Sequence, residues 1–141
     1  MYLLDTNVAS EMRRSGSPKV DPNFQGWIDQ VDLDQCYLAV ITIMEIERGV
    51  INLERKDPQQ GKVLRHWFET RILIEFDGRI LPLDLEGARA CAQMHVPHNR
   101  PENDAQLAAI AAVNGLTIVT RNTKDFAALG VALINPWDHL E

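Results

Sequence analysis

Asp5, Glu45, Asp104, Asn122 and Asp125 are the residues of this 141-residue chain whose types and positions suit joint chemistry. Each falls where an apolar stretch gives way to a turn or a helix start. Asp5 follows Tyr2-Leu3-Leu4, Glu45 comes one turn after Cys36-Tyr37-Leu38-Ala39-Val40-Ile41, Asp104 opens an alanine-rich stretch, and Asn122 and Asp125 follow Leu116-Thr117-Ile118-Val119-Thr120. Two carboxylates about 4 Å apart repel by about 4 kcal/mol at an effective dielectric near 20, so three or four together need protons or cations. Oxygen donors without clustered histidine or cysteine select hard ions, Mg²⁺ with Mn²⁺ as a substitute. Such ions polarise a phosphoryl oxygen and lower the pKa of bound water, which is the chemistry of phosphodiester hydrolysis.

Every one of these residues also has a structural reading. Asp5 can cap the turn that follows it, and Glu45 can be the reciprocal partner of Thr42 in a capping box. Asp104 can be a favourable charge at a helix N-terminus, and Asp125 can belong to an ordinary turn. The readings overlap, because a carboxylate at a helix start can serve both ends.

The elements that must position these groups alternate between strand and helix. Strands are expected over Tyr2–Leu4, Cys36–Ile41, Ile80–Leu83, Leu116–Thr120 and Val131–Ile134, with Pro82 marking an edge or a strand end. Thr6 or Asn7 is expected to cap a short helix from Val8, and Asp21-Pro22 to open a helix whose inward stripe is Phe24, Trp27, Ile28 and Val31. Thr42 is expected to cap a helix carrying Ile43, Ile46, Val50 and Leu53, within which Gly49 suggests a close approach by another group. A further helix from about Lys62 to Phe76, with Val63, Leu64, Trp67, Phe68 and Ile72 inward, would pair with it as a hairpin. Asp84 caps the next helix, and Ala105–Val113, polar only at Gln106, reads as a buried helix ended by Asn114-Gly115. This pattern predicts one domain over residues 1–141, a three-layer α/β/α sandwich with a mostly parallel sheet. Strand exits and the following helix starts then share one rim, where the five residues can converge.

Composition narrows the function. A net charge of −6 argues against a protein that coats DNA by neutralising phosphates, yet leaves room for an acidic site that meets a polyanion through metal ions. No apolar run approaches a membrane span, and an acidic residue at position 5 does not suit a secretory signal, so a cytoplasmic protein without a membrane partner is expected. Cys36 and Cys91 are expected to be core thiols. Arg13-Arg14-Ser15-Gly16-Ser17-Pro18-Lys19 reads as a basic loop, either merely solvated or in contact with phosphates.

Leu3-Leu4-Asp5-Thr6-Asn7 through Glu11, Thr42-x-x-Glu45-Ile46-x-x-Gly49, Asp104-Ala105-x-Leu107-Ala108-Ala109, and Thr120-Arg121-Asn122-x-x-Asp125-Phe126 followed by Ile134-Asn135-Pro136-Trp137 resemble the PIN-domain family. Within it they are most similar to the VapC-type ribonuclease toxins of bacterial type II toxin-antitoxin modules. The likeness spans essentially the whole chain in order, and four linked motifs are far more specific than one. It implies a PIN-like fold and a Mg²⁺-dependent endoribonuclease that hydrolyses RNA with metal-activated water. Asp5, Glu45 and Asp104 would be the acidic metal-binding triad. It further implies a cognate antitoxin and a homodimer. Many members place a fourth acidic residue where this chain has Asn122. An amide oxygen can bind a metal or orient water but carries no charge, so Asp125 is the other source of a fourth carboxylate.

Around the triad, Thr6 and Thr120 are candidates to orient a carboxylate or a water, the alternative being ordinary capping and turn hydrogen bonds. Arg13, Arg14, Arg100 and Arg121 are the basic residues nearest the motifs and the candidates for RNA phosphate contacts. Competing readings fit less well. An aspartyl-nucleophile phosphatase wants a second aspartate where Asn7 stands, and a phospho-receiver wants an acidic pair at the first strand and a lysine ending a late one. Cys91, His95 and His98 have zinc-like spacing, but Pro97 interrupts them and a fourth ligand is lacking. The non-enzymatic alternative is a PIN-like module that binds RNA or protein without cleaving.

Overall fold

The computed structural model describes residues 1–140. Five strands, β1 (Tyr2–Leu4), β2 (Cys36–Ala39), β3 (Ile80–Leu81), β4 (Thr117–Val119) and β5 (Leu133–Ile134), form one sheet in the order β3-β2-β1-β4-β5. Every pairing is parallel. The expected sandwich is therefore present, with a sheet that is wholly parallel among the described residues.

Alternation of side chains along these short strands divides the core into two layers. On one face Leu4, Leu38 and Val119 pack with Val8, Phe24, Trp27, Val50, Phe68 and Phe76. These come from α1 (Thr6–Met12), α2 (Pro22–Gln30), α3 (Val40–Lys56) and the segment after α4 (Pro58–Trp67). On the other, Leu3, Ala39 and Ile118 pack with Leu107, Ile110, Ala111 and Phe126, from α6 (Glu102–Asn114) and α7 (Thr123–Phe126). Cys91, Ala105 and Ala109 seat α5 (Leu85–Met94) on α6. Both cysteines are buried free thiols, and burial pushes Cys36 up to about 11. No helix among the described residues is long and apolar enough to cross a membrane.

Several local expectations change. The cap of α1 is Asp5 itself, whose Oδ1 accepts from the Thr6 N–H at 2.8 Å, rather than Thr6 or Asn7. The start of α3 comes three residues earlier than expected, with Ala39 rather than Thr42 in the cap position. β3 ends at Leu81 and β2 ends opposite it at Ala39, with Pro82 following at the edge of the sheet. Thr42 is consequently inside the helix, fully buried with an unpartnered hydroxyl, and no capping box forms. That leaves Glu45 without a cap to reach back to.

The helical hairpin of α3 and α4 is present, but α4 begins at Pro58. Asp57 caps it by accepting from the Gln60 N–H at 3.2 Å, with proline at the first turn as in Asp21-Pro22. After Trp67 the helix widens into a π turn, Phe68–Ile72, that points Phe68 and Ile72 into the core. Val63, expected inward, is 54% exposed. Gly49 faces open space, since a Cβ there would meet nothing within 4 Å. The close approach lies at Gly61, where a Cβ would stand 2.5 Å from the Cα of Glu54.

Candidate active site

The strand order reverses between β1 and β4, so chain segments leave these neighbouring strands in opposite directions and open a crevice beyond their carboxyl ends. Asp5 leaves β1 and Thr120 leaves β4 at that crevice. Leu4 pairs with Val119, and the Asp5 N–H donates to the Val119 carbonyl at 2.9 Å. The ladder thus sets the next residues side by side, and the Thr120 hydroxyl donates to Asp5 Oδ2 at 2.8 Å.

Thr120 is fully buried, and its oxygen also accepts from the Asn122 N–H at 3.0 Å, so its single proton is committed to Asp5. Asp5 accepts two further bonds, from the Thr6 N–H on Oδ1 and from Asn7 Nδ2 on Oδ2 at 3.3 Å. A carboxylate offers about four acceptor directions, which leaves about one open. Thr6 turns the other way: its hydroxyl donates to Glu45 Oε1 at 2.8 Å and joins α1 to α3. Thr6 and Thr120 therefore orient two different carboxylates.

Asn7 has a place in this network that the sequence reading did not assign. Its amide donates to Asp5, and its Oδ1 accepts from the Arg121 N–H at 3.1 Å. One side chain thus ties the acidic residue at the end of β1 to the turn after β4. The only sequence sign was its position two residues beyond Asp5.

The electrostatics join the remaining acids. Burial pushes the Asp5 carboxyl above its ordinary value; the bonds from Thr120 and Thr6 pull it back, and the Glu45 charge pushes it up again. Asp104, in the first turn of α6, is also raised, first by burial and then by the charges of Asp125, Asp5 and Glu45. Asp5, Glu45, Asp104 and Asp125 thus share one negative field, while Asn122, the exposed cap residue of α7, contributes no charge. The donors are oxygen-only and suit a hard cation in kind. Among the described residues, however, no three His, Cys, Asp or Glu side chains close on a single point. Asp5 and Glu45 have threonine and asparagine partners, whereas Asp104 and Asp125 stand in the first turns of α6 and α7.

The basic candidates separate. Arg121 is exposed at the rim, its guanidinium 5.2 Å from the Trp137 ring centre, and with Lys124 it borders a cleft of about 370 Å³ beside Asn122 and Asp125. Arg13 and Arg14 line a different cleft that includes none of the five acidic-site candidates. Arg100 is half-buried with an unpartnered Nε, and its backbone N–H donates to His95 Nδ1 at 3.1 Å. Cys91 lies in the seam between α5 and α6 and His98 is exposed, so the zinc spacing assembles no metal group.

Comparison with known proteins bears on the fold and the family. The chain is 38% identical to Toxin FitB of Neisseria gonorrhoeae over 97% of its own length and 99% of that protein's. It is 36% identical to plasmid stability protein StbB of Pseudomonas syringae pv. tomato, over 98% and 99% of the two chains. The crystal structure of FitAcB from Neisseria gonorrhoeae superposes with a TM-score of 0.88 at 37% identity, covering 98% of this chain and 99% of the other. A VapC ribonuclease of Sinorhizobium fredii is 30% identical over 98% of this chain and 99% of its own length. The PIN domain model matches residues 2–131, and with these relatives along nearly the full length, the chain belongs to the PIN domain family.

Proposed function

We propose that the protein is the toxin of a toxin-antitoxin module and acts as a metal-dependent endoribonuclease, with Mg²⁺ as the metal and Mn²⁺ as a substitute. The observation that carries this reading is the placing of Asp5 at the crevice between β1 and β4, where Thr120, Asn7 and the Thr6 N–H bond its two oxygens and the Thr6 hydroxyl bonds Glu45 beside it. Its support from relatives is the similarity to proteins named Toxin FitB and VapC ribonuclease.

Asp5, Glu45 and Asp104 would hold the cation, with Asn122 or Asp125 completing its surroundings. A bound divalent ion supplies charge neutralisation of the phosphoryl oxygens and acidifies water for in-line attack. The chain's own residues do the positioning. Thr120 and Asn7 hold Asp5 Oδ2, the Thr6 N–H holds Oδ1, and the Thr6 hydroxyl holds Glu45. Asp5 and Glu45 thus enter the reaction already oriented, so little ordering entropy remains to be lost at these two carboxylates. Arg121 stands at the rim to contact an RNA phosphate.

The reading includes an RNA substrate, an antitoxin protein partner, a homodimer and action in the cytoplasm. Its test is incubation of the purified chain with labelled RNA. Cleavage in Mg²⁺ that stops with EDTA and with Asp5→Asn supports it. Binding without cleavage, in both Mg²⁺ and Mn²⁺ and with folding verified, would instead identify a non-catalytic module.

A further inference from the structure

The basic loop after α1 builds a second polar cleft. Its volume is about 500 Å³, and its walls include Ser10, Arg13, Arg14, Ser17 and Lys19 on one side and Gln60 and Trp67 of α4 on the other. Three cations at one opening are notable in a chain of net charge −6. Arg14 is paired with Glu11 at 3.3 Å, whereas neither Arg13 nor Lys19 has a carboxylate within 4.0 Å among the described residues. Their charge is available to a ligand.

The loop that carries them is built rather than slack. Glu11, only 8% exposed, spans its base by accepting from Arg14 on Oε1 and from the Asp21 N–H on Oε2 at 2.9 Å. Gln25 Oε1 accepts from the Ser15 hydroxyl at 3.1 Å and the Gly16 N–H at 2.8 Å, and the Ser17 hydroxyl donates to the Arg14 carbonyl at 2.7 Å. The Arg13 guanidinium lies 6.0 Å from the centre of the Trp67 ring, which holds it against the α4 wall. Guanidinium, ammonium, hydroxyl and amide groups around one opening are the donor set that contacts phosphate oxygens. An apolar peptide would find little to bury here beyond Leu64 and Trp67.

We propose that this cleft binds a backbone phosphate of the RNA other than the one being cleaved. The proposal rests on the ribonuclease reading for the identity of the polyanion. The seven residues of α1 separate Asp5 from Arg13, about 10 Å of helix axis, so the cleft engages RNA beyond the scissile bond. It sets affinity for a long substrate and leaves the chemistry at Asp5 untouched.

The test compares Arg13→Ala/Lys19→Ala with the wild type and with a charge-matched control, Arg48→Ala/Arg89→Ala, elsewhere on the surface. Binding of a labelled single-stranded RNA is measured by fluorescence anisotropy across salt concentrations, with EDTA present so that cleavage plays no part. Loss of this one phosphate contact is expected to reduce the slope of log Kd against log salt by about 0.7 and to weaken binding about fivefold at low salt. In Mg²⁺, the same variant should show a raised KM for long RNA with kcat unchanged, and unaltered cleavage of a trinucleotide. Equal slopes for wild type and variant, or equal losses in variant and control, would overturn the cleft as an RNA site. Unchanged RNA binding with loss of affinity for the antitoxin would overturn it too and assign the cleft to a protein partner. Absence of cleavage by the wild type in Mg²⁺ would count against the nuclease reading alone, because the anisotropy result stands without it.

Discussion

Thr120 donates its hydroxyl proton to Asp5 Oδ2 at 2.8 Å, across a β1–β4 ladder that joins residues 115 apart in sequence. Because the Thr120 oxygen also accepts from the Asn122 N–H, one buried hydroxyl couples the first acidic residue to the turn that carries the amide candidate.

Thr120→Val keeps the shape of the side chain and removes both bonds. RNA cleavage is expected to fall by about 10–100-fold, the usual effect of removing a group that orients a ligand residue. Thr120→Ser, which retains the hydroxyl, should recover most of it. A valine variant with full activity in a cleavage assay would remove Thr120 from the machinery.

Asp104→Asn should abolish cleavage while making the metal-free protein more heat-stable at neutral pH. The sign follows from the raised carboxyls. Between the ordinary value of 3.8 and the raised one, the native state holds more protons than the unfolded chain, so the Asp104 contribution to stability falls as pH rises through that window. Above the window the full penalty is present, and asparagine removes it. Below about pH 3.8 both states are protonated and the advantage disappears. Melting curves of both proteins from pH 3 to 8 in EDTA check this, and a Tm loss at pH 7 with cleavage intact would make Asp104 structural.

Divalent cation should act in the opposite direction on the wild type. If Mg²⁺ binds the native acids and not the unfolded chain, a concentration 100 times its Kd adds about 2.7 kcal/mol of stability. The Tm rise with Mg²⁺ should be lost in Asp5→Asn, a readout that needs no RNA.

The two helical glycines of the α3–α4 hairpin should respond with opposite signs. Gly49→Ala meets open space in an exposed helix and is expected to stabilise by about 0.5–1 kcal/mol. Gly61→Ala drives a methyl into the backbone of Glu54 and should destabilise by about 1–3 kcal/mol or more. Urea unfolding of both variants separates them.

Glu11→Gln tests the loop of the second cleft. The amide oxygen can still accept from the Asp21 N–H, but the charge that pairs with Arg14 is gone. A small stability change is expected, whereas Glu11→Ala leaves the Asp21 N–H without its side-chain partner and should cost about 1–3 kcal/mol by chemical denaturation.

Strand and helix identities were legible from local pattern alone, because apolar runs, Asp-Pro caps and Asn-Gly stops act over a few residues. The PIN resemblance likewise rested on short motifs in order: Asp5, Glu45 and Asp104 could be named as a set before any contact between them was known. Boundaries and reciprocal partners were not legible. Thr42 and Glu45 have the spacing of a capping box, yet β2 ends at Ala39 opposite the last residue of β3 and α3 starts at Val40, which buries Thr42 and leaves Glu45 to Thr6. Gly49 matched a motif but faces open space, while the unremarked Gly61 is where two helices touch. The sequence by itself determined which residue types are available at the strand ends and the approximate order of the elements. Only the tertiary structure decided that Thr120 serves Asp5, that Thr6 serves Glu45, and that Asn7 bridges β1 to the turn after β4. Those choices depend on strand order and register, which bring distant residues to bonding distance and are set by packing of the whole sheet rather than by any local stretch.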